Sequence, residues 1–185
     1  MIKKAFFIFL FALFINQTYA EENIMILKLK DGDVLIELFS EIAPKHVERF
    51  KLLVKERKYD GVVFHRVIEG FMAQTGDVQF GNSNSENYDL KRAGAGGSEY
   101  PNLNAEFSDV AHERGTLSMA RSSSPDSANS QFFICFKSTP HLDRQYTVFG
   151  KVIQGMEFVD LIKKGVGSTG QVSSPDKIIS LSLKQ

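Results

Sequence analysis

The sequence predicts a mainly β domain, either a closed antiparallel barrel or a sandwich, with two helices capping it. About eight short runs are apolar, β-branched or alternating in polarity, and turn residues separate them. Two stretches have helical spacing, and they lie too far apart along the chain to build alternating β-α-β units. With 185 residues, the chain has room for one sizeable core and little more.

The first predicted elements are a β-hairpin and a helix. The alternating residues 23–30 and the run 34–39 flank Asp31-Gly32, a pair that is typical of tight hairpin turns. The next segment begins with proline at a position suited to the first turn of a helix, and its apolar residues recur at helical spacing. This pattern predicts a helix from Pro44 to about Glu56.

The rest of the chain is predicted to contain strands, a long loop and a short second helix. Strands are predicted over residues 62–67, 71–75, 116–120, 131–136, 146–153 and 178–183, and the helix over 156–164. Residues 78–104 are rich in Gly, Asn and Ser and lack apolar periodicity, which predicts a surface loop. A loop of this length in a compact domain is typical of a binding site or a mobile segment.

Residues 1–20 have the pattern of a cleavable signal peptide, which leaves residues 21–185 as the predicted domain. Two lysines within the first four residues precede an apolar run of 11 residues, and small residues stand before Glu21. A membrane-spanning helix needs about 20 apolar residues, so we expect no stable membrane anchor after cleavage. With a single cysteine in the chain, this pattern favours a bacterial periplasmic location.

Composition argues against several classes of function. Lys plus Arg and Asp plus Glu number 22 each, so no basic field is present to attract nucleic acid. One cysteine, Cys135, excludes an internal disulfide and a cysteine-cluster zinc site. The four histidines have no metal-ligand spacing, and we expect no metal; they are His46, His65, His112 and His141.

Nucleophilic and phosphate-binding motifs are weakly supported. Cys135 lies in an apolar strand and is expected to pack as a small hydrophobic residue, although pairing with a histidine as a nucleophile is the alternative. The serines 122–124 lack the turn that exposes a hydrolase serine, so we expect a polar loop. The glycines of residues 94–97 lack the flanking features of a phosphate loop and favour close approach of the backbone to a peptide.

Polar residues inside predicted strands are more informative. Side-chain alternation places Met72 and Gln74 on one face of their strand, and Gln131 and Phe133 on one face of another. With Arg66 in the preceding strand, these side chains can form an apolar pocket with a few placed donors. Alternatively, Arg66 pairs with a carboxylate at a strand edge, and the periodicity does not separate the two interpretations.

Four segments carry the most specific signal, and they are FHRVIEGFMAQTGD (64–77), GTLSMA (115–120), SQFFI (130–134) and VFGKV (148–152). In this order they resemble the cyclophilin family of peptidyl-prolyl cis-trans isomerases, and the resemblance covers nearly the whole predicted domain. It implies a closed eight-stranded antiparallel barrel capped by two α-helices, an active groove on the outer surface, and no cofactor.

The resemblance also implies a set of site residues. The implied catalytic residues are Arg66, Phe71, Gln74 and Phe133. The implied substrate-binding residues are Met72, Gly94, Gly96, Gly97, Ala120, Arg121, Gln131, His141, Leu142 and Tyr146. Within these sets, the proline pocket would comprise Phe71, Met72, Phe133 and Leu142, and the peptide backbone would be held by Gln74, Ala120 and Gln131.

The chain departs from the common family pattern at several of these positions. Arg121, His141 and Tyr146 stand where many members carry Asn, Trp and His. Because that Trp contributes to cyclosporin binding in the family, two outcomes stay open: His141 keeps a hydrogen bond and cyclosporin binds weakly, or the indole contact is lost and it does not bind. Residues 78–93 form a longer segment than in compact members, and the sequence gives this insertion no role.

The function implied is a monomeric prolyl isomerase that binds proline-containing peptides and assists the folding of exported proteins. The isomerisation barrier arises from amide resonance, and Arg66 would donate to the proline nitrogen when the twisted bond frees its lone pair. An alternative from another class is a non-catalytic module, a chaperone or interaction domain that binds proline-containing segments. A hydrolase based on Cys135 or a serine has little support from the sequence.

Overall fold

The computed structural model describes residues 23–184, which form one eight-stranded antiparallel sheet and two α-helices. The elements are β1 (Ile24–Lys28), β2 (Asp33–Leu38), α1 (Pro44–Lys55), β3 (Arg66–Ile68), β4 (Met72–Thr75), β5 (Thr116–Met119), β6 (Phe132–Cys135), β7 (Val148–Gln154), α2 (Met156–Asp160) and β8 (Ser180–Leu183). Two short 3-10 helices, Pro125–Ser127 and Pro140–Leu142, were not predicted from the sequence.

The sheet has the strand order β3-β4-β6-β5-β7-β2-β1-β8, and every neighbouring pair is antiparallel. The predicted hairpin is confirmed as β1 and β2, and the predicted first helix is confirmed as α1. The mainly β prediction with two helices is therefore correct. The predicted signal peptide, residues 1–20, lies outside the described residues.

The sheet curls so that its two edge strands, β3 and β8, approach each other without a continuous ladder between them. Two isolated bridges join this edge to the segment before β8: Val63, which precedes β3, pairs with Lys177, and Arg66, the first residue of β3, pairs with Gln171. The backbone N–H of Ile178 also donates to the carbonyl of Val62 at 2.9 Å. The predicted strand 62–67 thus begins only at Arg66, because its first residues pair singly with passing segments.

The core lies inside the curl and is capped by α1. Phe50 of α1 packs against Tyr59, Phe132 and Phe149, with ring centroids 5.1 to 5.3 Å apart, and all four side chains are buried. Aromatic packing of this kind removes a large apolar area from water and adds favourable ring–ring contacts. It holds α1 against β6 and β7 and so makes the sheet a rigid support.

A distant carboxylate completes the first turn of α1. Ala43, at the helix N-cap, supplies no side-chain hydrogen bond. Glu106 instead accepts from the backbone N–H groups of Lys45 and His46, each at 3.2 Å, and from His46 Nδ1 at 2.7 Å. Burial lowers the pKa of His46, and the nearby Glu106 carboxylate opposes that effect. This contact ties the long loop to the helix.

The predicted surface loop is longer than expected, since neither a helix nor a strand occurs between Thr75 and Thr116. It is nevertheless attached to the domain by isolated bridges, Val62 with Asn82 and Leu103 with Ala128. None of the helices in residues 23–184 has the length and apolar character that a membrane-spanning segment requires. The same residues contain no cluster of three or more His, Cys, Asp or Glu side chains that could hold a metal ion.

Candidate active site

The predicted site residues converge on the outer face of β3, β4 and β6. Antiparallel register places Arg66 opposite Gln74, and Gln74 opposite Phe133. Phe132 and Ile134 point into the main core, whereas Phe133 and Cys135 belong to a separate apolar cluster on the other face. The strand alternation inferred from the sequence is therefore confirmed, and it makes β6 apolar on both faces.

Arg66 is held by its neighbours while part of its guanidinium remains available. Its Nε donates to the carbonyl of Thr169 at 3.0 Å, and its Nη1 donates to Gln74 Oε1 at 3.3 Å. Within the described residues, Nη2 has no hydrogen-bond partner and Arg66 forms no ion pair with a carboxylate. Burial lowers the pKa of Arg66, yet a guanidinium remains charged at neutral pH. The edge-carboxylate interpretation of Arg66 is therefore wrong.

A chain of amide groups continues from Arg66 to the glycine-rich loop, defined as residues 94–97. Gln74 Nε2 donates to Gln131 Oε1 at 3.1 Å. Gln131 Nε2 in turn donates to the carbonyls of Gly94 at 3.0 Å and Gly96 at 2.8 Å. Each amide is oriented by its neighbour, so the position of Arg66 is linked to the position of the loop.

An apolar cavity of about 140 Å³ opens beside Arg66. Its lining residues are Arg66, Phe71, Met72, Gln74, Ala120, Arg121, Phe133, Leu142 and Tyr146. Met72, Phe133 and Leu142 are buried, and they form the small cluster outside the main core together with Cys135. The cavity is thus an apolar pocket with guanidinium and amide donors at its rim, as small-ligand sites commonly are.

A second cavity, of about 420 Å³, lies beside the first and is bounded by the glycine-rich loop. Gly94, Gly96, Gly97, Ala120 and Gln131 line it, together with Arg121, which also lines the apolar pocket. The Arg121 guanidinium stacks on Tyr146, with its carbon 4.5 Å from the ring centroid. It also donates to the carbonyls of Gln145, Ser122 and Ser123.

Asp77 holds the glycine-rich loop in place, a role that the sequence analysis did not identify. Its buried carboxylate accepts from the backbone N–H groups of Gly94 and Gly96 at 2.7 and 2.9 Å through Oδ2. Oδ1 accepts from the N–H groups of Gln79 and Phe80 at 3.0 and 2.8 Å. A Cβ at position 96 would lie 2.5 Å from Oδ1, so glycine is required there. In the sequence, the only sign of this role is the place of Asp77 at the end of the motif at residues 64–77.

Behind Phe133, three side chains form a hydrogen-bonded series that resembles a hydrolase triad. Nδ1 of His112 donates to Asp143 Oδ1 at 2.9 Å, because the carboxylate can only accept, and Nε2 lies 3.0 Å from Ser118 Oγ. Ser118 and His112 are buried, however, and Ser118 Oγ lies 3.0 Å from the Thr147 carbonyl. No substrate can reach this hydroxyl, so the series does not support a serine hydrolase.

The series instead supports the wall of the apolar pocket. The His112 ring stacks on Phe133 with centroids 6.2 Å apart and planes 17° from parallel. Burial lowers the pKa of His112, which favours the neutral ring despite the opposing effect of Asp143. Cys135 is likewise buried, and burial raises its thiol pKa to about 11, which disfavours the nucleophilic thiolate.

Most residues assigned by the resemblance lie together in this region. All of the residues predicted as catalytic line the apolar pocket. Among those predicted to bind substrate, His141 differs, because it is exposed and lies beside Phe71, with ring centroids 5.6 Å apart, rather than in the pocket lining. The contributions of Asp77, His112 and Thr169 were missed, since each depends on a contact between distant parts of the chain.

Comparison with protein families identifies one match over nearly all of the described chain. The model of the family described as "Cyclophilin type peptidyl-prolyl cis-trans isomerase/CLD" matches residues 24–183. A "Probable peptidyl-prolyl cis-trans isomerase" from Brucella suis is 58% identical over 164 residues, which cover 88% of this chain and 83% of that protein. A "Peptidyl-prolyl cis-trans isomerase" from Acinetobacter baylyi is 39% identical, with 90% of this chain and 88% of that protein covered.

Solved structures agree with the family match. A cyclophilin-type peptidyl-prolyl cis-trans isomerase from Cryptosporidium parvum, crystallised in the presence of the dipeptide Ala-Pro, is similar with a TM-score of 0.73. Its sequence is 27% identical, and the match covers 88% of this chain and 99% of that chain. A cyclophilin from Hirschia baltica, with 24% identity and a TM-score of 0.71, supports the fold alone; 88% of this chain and 74% of that chain are covered.

Proposed function

This chain belongs to the cyclophilin-type peptidyl-prolyl cis-trans isomerases and has that activity, and we propose that Arg66 is its catalytic residue. One observation carries the assignment of Arg66: its guanidinium is fixed at the rim of an apolar pocket and retains, at Nη2, donors that no group in residues 23–184 uses. The pocket would hold the proline ring, and the guanidinium would face the reacting bond.

The reaction requires rotation about a bond and no bond cleavage. Resonance in the peptide unit creates a barrier of roughly 18 to 20 kcal/mol, so unaided X-Pro isomerisation takes tens to hundreds of seconds. At the twisted transition state the proline nitrogen loses its conjugation and recovers a lone pair. A donor placed at that nitrogen stabilises the twisted state more than either planar isomer, which is the condition for catalysis.

The Arg66 guanidinium suits this role because hydrogen bonds to the protein hold it in a fixed position. Nε is directed to Thr169 and Nη1 to Gln74, so two of its nitrogen atoms are already committed. The N–H groups of Nη2 are left to donate to a ligand. Because the guanidinium is charged and fixed before substrate binds, a hydrogen bond to the substrate needs little reorganisation.

The two cavities would hold different parts of the substrate. Phe71, Met72, Phe133 and Leu142 offer a proline ring an apolar surface of matching size beside Arg66. Gln74 and Gln131, with Ala120 between the cavities, would hold the peptide backbone, and the glycine-rich loop would border the adjoining residues. The ring would be held while the flanking chain rotates.

Three further features belong to the proposal. The signal pattern of residues 1–20 supports a periplasmic protein that binds unfolded or folding exported proteins. The isolated bridges between the two edges of the sheet support the view that the sheet closes into a barrel. The imidazole of His141, beside Phe71 in place of an indole, supports weak cyclosporin binding.

The assignment of Arg66 is tested by measuring isomer exchange of an X-Pro peptide by exchange NMR. Replacing a charge-assisted hydrogen bond worth about 1.5 to 3 kcal/mol should lower the catalysed rate by roughly 10- to 100-fold in Arg66→Ala. Arg66→Lys retains the charge but not the planar fork, and an intermediate rate is expected. Arg49→Ala, which removes an arginine of α1 that bonds to Pro101, is the matched control and should leave the rate unchanged.

Peptide chemical-shift changes separate binding from catalysis in the same samples. Arg66→Ala should still bind the peptide in the apolar pocket while exchange returns toward its uncatalysed rate. A folded Arg66→Ala protein with the wild-type exchange rate would contradict the catalytic role of Arg66.

The location is tested independently by expressing the full chain with a C-terminal tag in a Gram-negative bacterium. The expected result is a periplasmic protein whose mass corresponds to a chain beginning near Glu21. Recovery of the uncleaved chain from the cytosol would refute the proposed export.

A further inference from the structure

A third cavity adjoins the two already described and completes a continuous groove. Its volume is about 540 Å³, and it lies between residues 91–95, where the 78–93 insertion meets the glycine-rich loop, and residues 169–171. Gln74 lines all three cavities, and Arg66 lines both the apolar pocket and the third cavity. A peptide with its proline in the apolar pocket would therefore pass close to cavities on either side.

The groove, defined as these three cavities, is lined by one sign of charge. Among the described residues, its charged side chains are Arg66, Lys91, Arg92 and Arg121, and none of residues 23–184 that line the three cavities is Asp or Glu. The chain as a whole has 22 basic and 22 acidic residues, so the groove concentrates positive charge on a protein with no overall excess. Clefts lined by one sign of charge raise the local concentration of ligands of opposite charge.

The described part of the chain gives the positive charges of the groove no ion-pair partner. Within residues 23–184, none of the four cations forms an ion pair. Arg92 stacks on Phe80, with its guanidinium carbon 3.6 Å from the ring centroid, and Arg121 stacks on Tyr146 while donating to neutral carbonyls. These contacts position the guanidinium groups and leave their charges available to a ligand.

Two carboxylates close to the groove in sequence, those of Asp77 and Asp89, do not line it. Asp77 is fully buried beneath the loop, where backbone N–H groups occupy both of its oxygen atoms. Asp89 Oδ1 accepts from the backbone N–H of Lys91 at 2.9 Å, and Asp89 does not line the third cavity. Neither carboxylate therefore takes the place of an anionic ligand in the groove.

We propose that the groove selects X-Pro segments that carry a carboxylate side chain beside the proline, read by Arg121 on one side and by Lys91 and Arg92 on the other. This inference rests on the proposed placement of proline in the apolar pocket. It also gives the end of the 78–93 insertion a role, because Lys91 and Arg92 belong to that segment. The substrate class is thus an acidic proline-containing segment of a folding polypeptide.

The strength of the preference follows from the exposure of the groove. Ion pairs at a partly exposed site are worth about 1 kcal/mol, which corresponds to roughly a fivefold effect. Because the Debye length is about 10 Å at 0.1 M salt and 3 Å at 1 M, the preference should weaken as salt is added.

The experiment uses pairs of peptides that contain a single proline and differ at one position, where one peptide carries Glu and the other Gln. The varied position is in turn each of the two residues before the proline and each of the two residues after it. Exchange NMR gives the catalysed rate, and each peptide's uncatalysed rate is subtracted, because neighbouring residues alter it. At 20 mM salt, the Glu peptide should exceed its Gln partner by roughly fivefold in kcat/KM for at least one position on each side. At 0.5 M salt the ratio should approach one.

Charge-removing variants test which residues read the carboxylate. Arg121→Gln should abolish the Glu preference on one side of the proline, and the double variant Lys91→Gln/Arg92→Gln should abolish it on the other. The control Lys28→Gln/Lys151→Gln removes two exposed lysines from β1 and β7, outside the groove, and should keep the full ratio. Because the ratio compares two peptides on one protein, partial unfolding of a variant does not alter it.

The outcomes separate this inference from the function on which it rests. Equal rates for Glu and Gln peptides at every position at low salt would overturn the acidic preference while leaving the isomerase activity intact. A ratio that survives in both groove variants would overturn the assignment to Arg121, Lys91 and Arg92. Acceleration of none of the peptides would instead refute the proposed catalytic site.

Discussion

Replacing Asp77 with Asn tests how a buried charge holds the glycine-rich loop beside the active site. The two residues have nearly the same shape, but an amide has one acceptor oxygen and one donor NH2 group. Asp77 accepts four backbone N–H groups, two on each oxygen. In either orientation of the Asn amide, two of these N–H groups would lose their acceptor and face another donor.

The magnitude follows from those two lost bonds. A hydrogen bond to a charged group contributes about 1.5 to 3 kcal/mol to stability, so two bonds correspond to about 3 kcal/mol or more. For a domain of this size, that loss lowers Tm by roughly 6 to 12 °C. The loop carbonyls of Gly94 and Gly96 accept from Gln131, so kcat/KM at 25 °C should fall as well.

The assay is thermal and urea denaturation of Asp77→Asn beside Asp89→Asn, with isomer exchange measured on both. Asp89 accepts a single backbone N–H in an exposed turn, so its variant should lose less than about 0.5 kcal/mol and retain full activity. An Asp77→Asn protein with the wild-type Tm would refute the view that this carboxylate organises the loop. Equal losses in the two variants would refute it too.

Three other predictions concern buried groups. Burial lowers the pKa of His65 to about 4, whereas the same imidazole in the unfolded chain binds a proton near pH 6.5. The neutral His65 therefore contributes fully to the free energy of unfolding above pH 6.5, and this contribution is lost as pH falls toward 4. Urea denaturation should show that the free energy of unfolding falls by about 3 kcal/mol more in the unsubstituted protein than in His65→Gln between pH 6.5 and pH 4. An identical dependence on pH in the two proteins would contradict this prediction. Tyr59→Phe removes a buried hydroxyl that donates to the Ser130 carbonyl at 2.8 Å. Calorimetry should show a loss of about 1 to 3 kcal/mol in the free energy of unfolding, because the carbonyl is left without its partner. An unchanged Tm would show that this hydrogen bond contributes nothing to stability. The Cys135 thiol, buried and with its pKa raised to about 11, should resist a thiol reagent at pH 8 until denaturant is added, and rapid labelling of the native protein would disprove this.

Much of the sheet could be predicted because the signals for its strands are local. Asp31-Gly32 specifies a tight turn, and β1 and β2 pair across it in the expected antiparallel register. Alternation along β6 correctly separated the face of Phe133 from that of Phe132, and the structure shows that Phe132 belongs to the core. The start of β3 was misplaced, because Val62 and Val63 are apolar in the manner of a strand yet pair only singly with distant residues.

Site residues could be predicted only where strand alternation or a family motif identified them. The motifs named Arg66, Gln74 and Gln131, but nothing in their spacing indicated the order of the amide chain that joins them to the loop. His112 has no local signal at all, since its use depends on Asp143 and Ser118 reaching it from other elements. Its resemblance to a triad was visible only in three dimensions, as was the burial that prevents it from acting as one.

The sequence by itself determined the alternation of the strands, the hairpin, the first helix and the family, because turn chemistry and side-chain period are properties of adjacent residues. Only the tertiary structure decided how the site is held. Arg66 donates to the carbonyl of Thr169, 103 residues away, and Asp77 accepts from Gly94, 17 residues away. A backbone carbonyl or N–H group is present at nearly every residue, so sequence carries no mark of which one is used; folding selects it by bringing it within hydrogen-bond distance.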